Sequence, residues 1–256
     1  MRHLLQAVFN APISSEVCHQ IRACGFDGVR IDAQQITTAA AMRALLDPVL
    51  AADLWPLVVV QDGRACAWLP AGTAIELRNE PDLEGPSPDL YRHLLLGMQE
   101  VATAFRLELW GGAVSNLNDR GFRYLRAIAD ALPPRVTVHR YPPDPWRPSA
   151  GHDGRTRQQE VDTLRSIIGD REWGVSEFGY HTARICRGWW IFRTCHQLTD
   201  AQAAQSIRGE FAWWQAQGAA FATLYQLNDG PTATALDRYG IRTVEGDWKL
   251  QAETVG

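Results

Sequence analysis

Lysine is almost missing from this chain: of its 25 basic residues all but Lys249 are arginine. With 29 acidic residues the formal net charge is −4, so there is no basic surplus of the kind that binds nucleic acid or an anionic membrane. The arginine bias also lowers the weight of any single Arg as a functional signal. Cysteine is sparse, five in 256 residues, an odd number that argues against a disulfide-built scaffold. Cys18 and Cys24 lie six apart on a predicted helix and do not face each other. Cys186 and Cys195 flank a loop and can close it in an oxidising compartment, with free thiols as the default. No Cys/His cluster has zinc-site spacing, so neither a metal nor an organic cofactor is expected. Long hydrophobic runs are absent too. Leu4 to Val8 is too short for a signal peptide or a membrane span and reads as a first strand, which leaves the compartment open.

What is present is a regular alternation. Apolar, β-branched runs at Leu4–Asn10, Phe26–Asp32, Trp55–Val60, Ile75–Asn79, Arg106–Trp110, Val136–Tyr141, Trp173–Gly179 and Ala219–Tyr225 read as strands. Between them lie helical patterns opened by cap residues such as Ser14, Ser87, Thr156 and Thr199. The segment Asp62–Gly72 is short for a third helix, and the eighth is short or lost. Eight such units in this length predict a closed (β/α)8 TIM barrel, with residues 1–256 as one domain. An open doubly wound sheet is the weaker alternative, because no glycine-rich phosphate turn follows the first strand.

In a barrel, the carboxyl ends of the strands converge on one mouth. Glu80 follows the fourth strand in Asn79-Glu80-Pro81, and Glu177 ends the seventh in Val175-Ser176-Glu177-Phe178-Gly179. Two carboxyls at one mouth suit glycoside hydrolysis, in which one protonates the leaving oxygen and the other attacks the anomeric carbon or activates water. Arg30 is an arginine inside an apolar strand and needs a buried partner. His139 and Tyr141, two apart, share one face of the sixth strand.

The Asn-Glu-Pro at 79–81 and the Glu177 motif resemble those of retaining glycoside hydrolases of clan A, and three further pieces are similar to family-five-like members. These are Gly25-Phe26-Asp27-Gly28-Val29-Arg30-Ile31, His139-Arg140-Tyr141, and the closing segment from Tyr225-Gln226-Leu227-Asn228-Asp229-Gly230 to Tyr239-Gly240-Ile241 and Trp248-Lys249. The resemblance implies Glu80 as acid/base and Glu177 as nucleophile. It also implies Asn79 on the sugar 2-hydroxyl, Arg30 keeping Glu177 ionised, and Tyr141 orienting Glu177 with His139 beside it. Gln61-Asp62 stands where such relatives often carry His, and Tyr225 stands in for their last-strand Trp as sugar platform.

The loop at 184–193 is aromatic without period, so Trp189 and Trp190 are candidate sugar platforms, or are simply buried over the barrel. Trp110, ending the predicted fifth strand, is a candidate of the same kind, whereas Trp213 and Trp214 fit a helix packed on the barrel. The expected partner is therefore a carbohydrate, with a poly- or oligosaccharide cleaved at β-glycosidic bonds. The rivals are a carbohydrate-binding barrel without catalysis and a metal-dependent barrel hydrolase.

Overall fold

The computed structural model describes residues 1–9, 12–83, 85–143, 150–187, 194–232, 234 and 237–254. Seven strands come first: β1 (Arg2–Phe9), β2 (Gly28–Asp32), β3 (Trp55–Val60), β4 (Ala74–Leu77), β5 (Glu108–Val114), β6 (Arg135–His139) and β7 (Glu172–Phe178). A two-stranded hairpin, β8 (Ile185–Arg187) and β9 (Thr194–His196), precedes the last strand, β10 (Phe221–Leu224). Eight of these strands pair in parallel and close into a barrel in the order β1-β10-β7-β6-β5-β4-β3-β2, the expected (β/α)8 fold.

Period-two alternation sorts the strand side chains into two shells. Leu5, Val29, Ile31, Val58, Ile75, Leu77, Val136 and Val138 turn outward into one apolar cluster with the helices. Leu4, Leu57, Ala74, Trp110 and Phe221 turn inward and form a separate floor, with Trp110 edge-on to Phe221 at 4.8 Å between ring centres. Two residues further along their strands the inward positions become polar and remain buried: Gln6 after Leu4, Arg30 after Gly28, Glu76 after Ala74. The barrel therefore has an apolar base and a charged upper layer, and that upper layer lies under the mouth.

Among the described residues six α-helices pack outside: α1 (Ser15–Ala23), α2 (Ala39–Ala51), α3 (Pro88–Phe105), α4 (Asp119–Ala127), α5 (Arg157–Ile168) and α6 (Asp200–Ala216). Ser14, Thr38, Ser87, Asn118, Thr156 and Thr199 cap them by accepting a first-turn N–H, which satisfies donors the helix cannot. The third helical position holds only a 3₁₀ segment, Gly63–Trp68, and the chain closes with another, Leu250–Thr254, against α6. Among the described residues no helix is long and apolar enough to cross a membrane.

Two sequence expectations need correction. The fifth strand does not stop at Trp110 but continues through Gly111-Gly112 to Val114. Those glycines make room within the strand: a side chain at Gly111 would meet Leu95 and Pro133 at 2.8 Å, and one at Gly112, where φ is +110°, would meet the Thr137 carbonyl at 2.7 Å. Cys186 and Cys195 lie opposite each other in the hairpin and form a disulfide, so the free-thiol default fails for that pair. Cys18, Cys24 and Cys66 are in no disulfide.

Behind β6 lies a buried ionic cluster. Arg140 donates to Glu160 Oε2 at 3.3 Å and to the Ala150 carbonyl at 2.5 Å, and pairs with Glu210 at 3.6 Å. Arg157 and the Tyr180 hydroxyl both donate to Glu210 at 2.8 Å, and His152 meets Glu160 at 2.7 Å. Removing the central cation would leave two buried carboxylates, Glu210 with Arg157 and Glu160 with His152. Arg140→Met is therefore expected to lower unfolding free energy by about 3–5 kcal/mol, measured by urea unfolding. A loss below about 1 kcal/mol would show that the cluster does not hold this side of the barrel together.

Candidate active site

The upper layer is built around Arg30. From β2 its Nη1 donates to Gln6 Oε1 at 2.8 Å and to Glu177 Oε1 at 2.5 Å, and its Nη2 donates to Asn79 Oδ1 at 2.8 Å. Its Nε donates to Glu76 Oε1 at 3.0 Å, and Nη2 also pairs with Glu76. Burial works against the charge, but the carboxylates of Glu76 and then Glu177 outweigh it, so the guanidinium is held even further from deprotonation than usual. One cation thus faces two buried carboxylates and fixes Glu177 in place.

Glu80 reaches the same space through an unusual chain exit. Arg78 has φ +60° and Glu80 φ +44°, both in the left-handed region that side chains of this kind seldom enter. This local strain, just past the end of β4, places Asn79 and Glu80 on the cavity wall. Asn79 donates its backbone N–H to Gln34 Oε1 at 3.2 Å, and its side-chain oxygen is taken by Arg30.

His139 ends β6, fully buried between the two acids. Its Nδ1 is 3.0 Å from Glu80 Oε1 and 3.5 Å from Glu177 Oε2. Burial favours the neutral ring, yet the Glu177 charge and the Glu80 hydrogen bond prevail and raise its pKa above the ordinary 6.5. Because the folded pKa is the higher one, the charged ring contributes stability in full below pH 6.5, and that contribution is lost as pH rises through the folded pKa. The stability gap between the wild type and His139→Gln is accordingly expected to narrow with rising pH above 6.5 in urea unfolding at a series of pH values. A gap that is flat or widens would contradict this sign.

Tyr141 lies two residues on, and its hydroxyl donates to Glu177 Oε2 at 2.8 Å. Burial first, then the Glu177 charge, hold this phenol well above the ordinary 10, so it stays a donor. Tyr141, Tyr225 and Tyr239 meet edge to face with ring centres 5.7–6.2 Å apart and form an aromatic wall. Burial lifts the Tyr225 and Tyr239 hydroxyls to about 12, so all three remain neutral. With Asp32 these groups enclose a cavity of about 280 Å³, close to the lower end of small-ligand sites.

One oxygen of Glu80, one of Glu177 and a ring nitrogen of His139 all lie within 4.8 Å of one another. Three such donors could hold a cation, but both oxygens of Glu177 already accept, from Arg30 and Tyr141, and His139 Nδ1 is shared with Glu80. A divalent ion there would also sit beside a fixed guanidinium. The arrangement is better suited to moving a proton and placing a carboxylate at a carbon centre.

Of the sequence candidates, Glu80, Glu177, Arg30, Asn79, His139, Tyr141 and Tyr225 come together here. Trp110 does not: it is buried in the barrel floor, at the end away from the mouth, because the strand runs on past it. Trp189 and Trp190 lie outside the described residues. Four members of the site were missed: Glu76, Gln6, Asp32 and Tyr239. Glu76 carries the same signal that exposed Arg30, a charge inside an apolar strand, and Gln6 a weaker version of it. Tyr239 comes from the closing segment, and no local pattern ties it to the mouth.

No protein-family profile and no curated protein matches the sequence. Solved structures do match in fold. A family 39 glycoside hydrolase from Bacteroides cellulosilyticus superposes with a TM-score of 0.70 at 15% identity over 97% of this chain, which spans only 61% of that longer protein. A β-1,3-glucanosyltransferase from Rhizomucor miehei, an active-site mutant in complex with laminaritriose, gives 0.68 at 9% identity over 96% of both chains. A subgroup II GH128 endo-β-1,3-glucanase from Sorangium cellulosum gives 0.67 at 14% identity, covering 100% of this chain and 97% of its own. The chain shares its barrel architecture with these glycoside-acting proteins.

Proposed function

We propose that this protein is a glycoside hydrolase that cleaves β-glycosidic bonds in a poly- or oligosaccharide with retention, Glu177 acting as nucleophile and Glu80 as acid/base. The observation that carries the reading is the pair of carboxylates at one mouth, with oxygens within 4.8 Å of each other. Retention needs carboxyl groups about 5–5.5 Å apart, whereas inversion needs a gap of about 6.5–9.5 Å to admit water. The two surroundings differ in the sense the mechanism requires. Glu177 accepts from a permanent cation and a phenol, which hold both its oxygens in place for attack. Among the described residues Glu80 has one partner, an imidazole able to pass a proton, and a quarter of its side chain is open to the cavity. Asn79, held by Arg30, lines the same cavity and is assigned to the sugar 2-hydroxyl.

Two of the solved structures described above are β-1,3-glucan-acting proteins by name, so β-1,3-glucan is the first substrate to try, followed by other β-glucans, mannans, xylans and aryl glycosides. Proton NMR of the first-formed product is expected to show the β anomer ahead of mutarotation. The α anomer appearing first would overturn retention. Binding of intact glycan with no product on any substrate would favour a non-catalytic barrel.

A further inference from the structure

A second cavity, of about 180 Å³, opens beside the first at the ends of β2 and β3. Its walls include Gln34, Gln61, Asp62, Arg64 and Trp68, and none of these belongs to the machinery assigned above. The two cavities are joined by hydrogen bonds. Gln34 Oε1 accepts from the Asn79 backbone at 3.2 Å, and Gln34 Nε2 donates to Asp32 Oδ1 at 3.3 Å, with Asn79 and Asp32 both lining the first cavity. When the Gln61 amide is oriented with its oxygen toward Arg78, at 3.1 and 3.2 Å, its nitrogen donates to the same Gln34 oxygen at 3.2 Å. Each amide nitrogen carries two hydrogens, so Gln34 and Gln61 each keep one N–H beyond these bonds. Asp62 accepts from the exposed Arg64 by hydrogen bonds of 2.7–3.1 Å, which presents an acceptor and donor pair at the rim. Trp68, in the 3₁₀ segment, is partly buried on the core side and lines the cavity on the other.

Planar amides, a carboxylate–guanidinium pair and an indole face are complementary to a sugar ring, which offers adjacent hydroxyls at its edge and C–H groups on its faces. The geometry points to this cavity as a subsite for a further neutral sugar unit of the chain whose reacting unit lies in the first cavity. The inference rests on the glycoside hydrolase reading and deepens it: the substrate is an oligosaccharide or longer, recognised beyond the bond that breaks. The short 3₁₀ segment in place of a third helix is what brings Trp68 to this rim.

The test uses β-1,3-gluco-oligosaccharides of two to six units, with an aryl β-glucoside as the short reference. Wild-type kcat/KM is expected to rise with chain length until the second cavity is filled. Trp68→Ala is expected to lower kcat/KM about 10-fold on the longer chains and leave the aryl glucoside unchanged. Gln61→Ala, which removes little packing, should show a smaller loss with the same length dependence, so poor folding of the Trp68 variant does not decide the matter. In parallel, calorimetric titration of the hexamer into Glu177→Gln, with and without Trp68→Ala, should show the same weakening of binding. Losses equal at every length, or none at any length, overturn the subsite while leaving hydrolysis intact. Wild-type enzyme that neither cleaves nor binds any member of this series, nor any of the other β-glucans, mannans, xylans and aryl glycosides, overturns the underlying reading, and the subsite with it.

Discussion

Glu177→Gln is expected to lower kcat by roughly 10⁴-fold or more on every substrate the wild type cleaves, with the protein remaining folded. The rate follows from chemistry: an amide oxygen is too poor a nucleophile to form the glycosyl ester. The folding follows from charge counting. Arg30 faces two buried carboxylates, Glu76 and Glu177, so replacing one by a neutral isostere leaves a one-to-one pair rather than a stranded ion. The new amide oxygen can still accept from Arg30 or from the Tyr141 hydroxyl. Removing Arg30 would be the opposite case, with two uncompensated acids under the mouth, so it is a poor probe of catalysis. The measurements are initial rates on an activated aryl glycoside and intact-protein mass after exposure to a 2-fluoro glycoside, which slows breakdown of the covalent intermediate. Wild-type protein should gain the glycosyl mass on Glu177 and the variant should not. A variant with near-normal turnover would remove Glu177 from the mechanism.

The parts of this site that could be read in the sequence are those whose physics is local. Arg30 stands out because a charge in an apolar strand must find a partner, and Glu80 and Glu177 because each closes an apolar run where a barrel gathers its strand ends. Glu76 carried the same signal but sat within the motif that drew attention to its neighbours. Trp110 was misplaced because a Gly-Gly pair ordinarily opens a turn, whereas here the glycines serve close approach by Pro133 and Thr137. Tyr239 depends on where a distant segment returns, and the Cys186–Cys195 pairing on the register of a local hairpin, neither of which periodicity records. The left-handed turn at Arg78 and Glu80 was equally hidden. The residues there have no local preference for it, so the surrounding tertiary contacts impose it.

Glu80→Ala is expected to split the reaction into two differently affected halves. Glycosylation of unactivated oligosaccharides should slow by about 10²–10⁴-fold, because the departing oxygen must leave without a proton. Aryl glycosides with acidic phenols need no such help, so their first step should be nearly unchanged while hydrolysis of the intermediate, now without its base, becomes limiting. A burst of phenol equal to the enzyme concentration followed by a slow steady rate is the expected trace. Azide should restore the steady rate and yield a β-glycosyl azide, since a small anion can enter the space the carboxylate vacates. The variant also tests the role of His139 independently of activity. Its raised pKa depends on the Glu177 charge and on the hydrogen bond to Glu80 against the cost of burial. Deleting Glu80 should therefore lower the His139 midpoint in an NMR titration of the imidazole, while Glu177 continues to support the charged form. An unchanged midpoint would mean that His139 answers to Glu177 alone, and the imidazole would then no longer be the group that exchanges a proton with the acid/base.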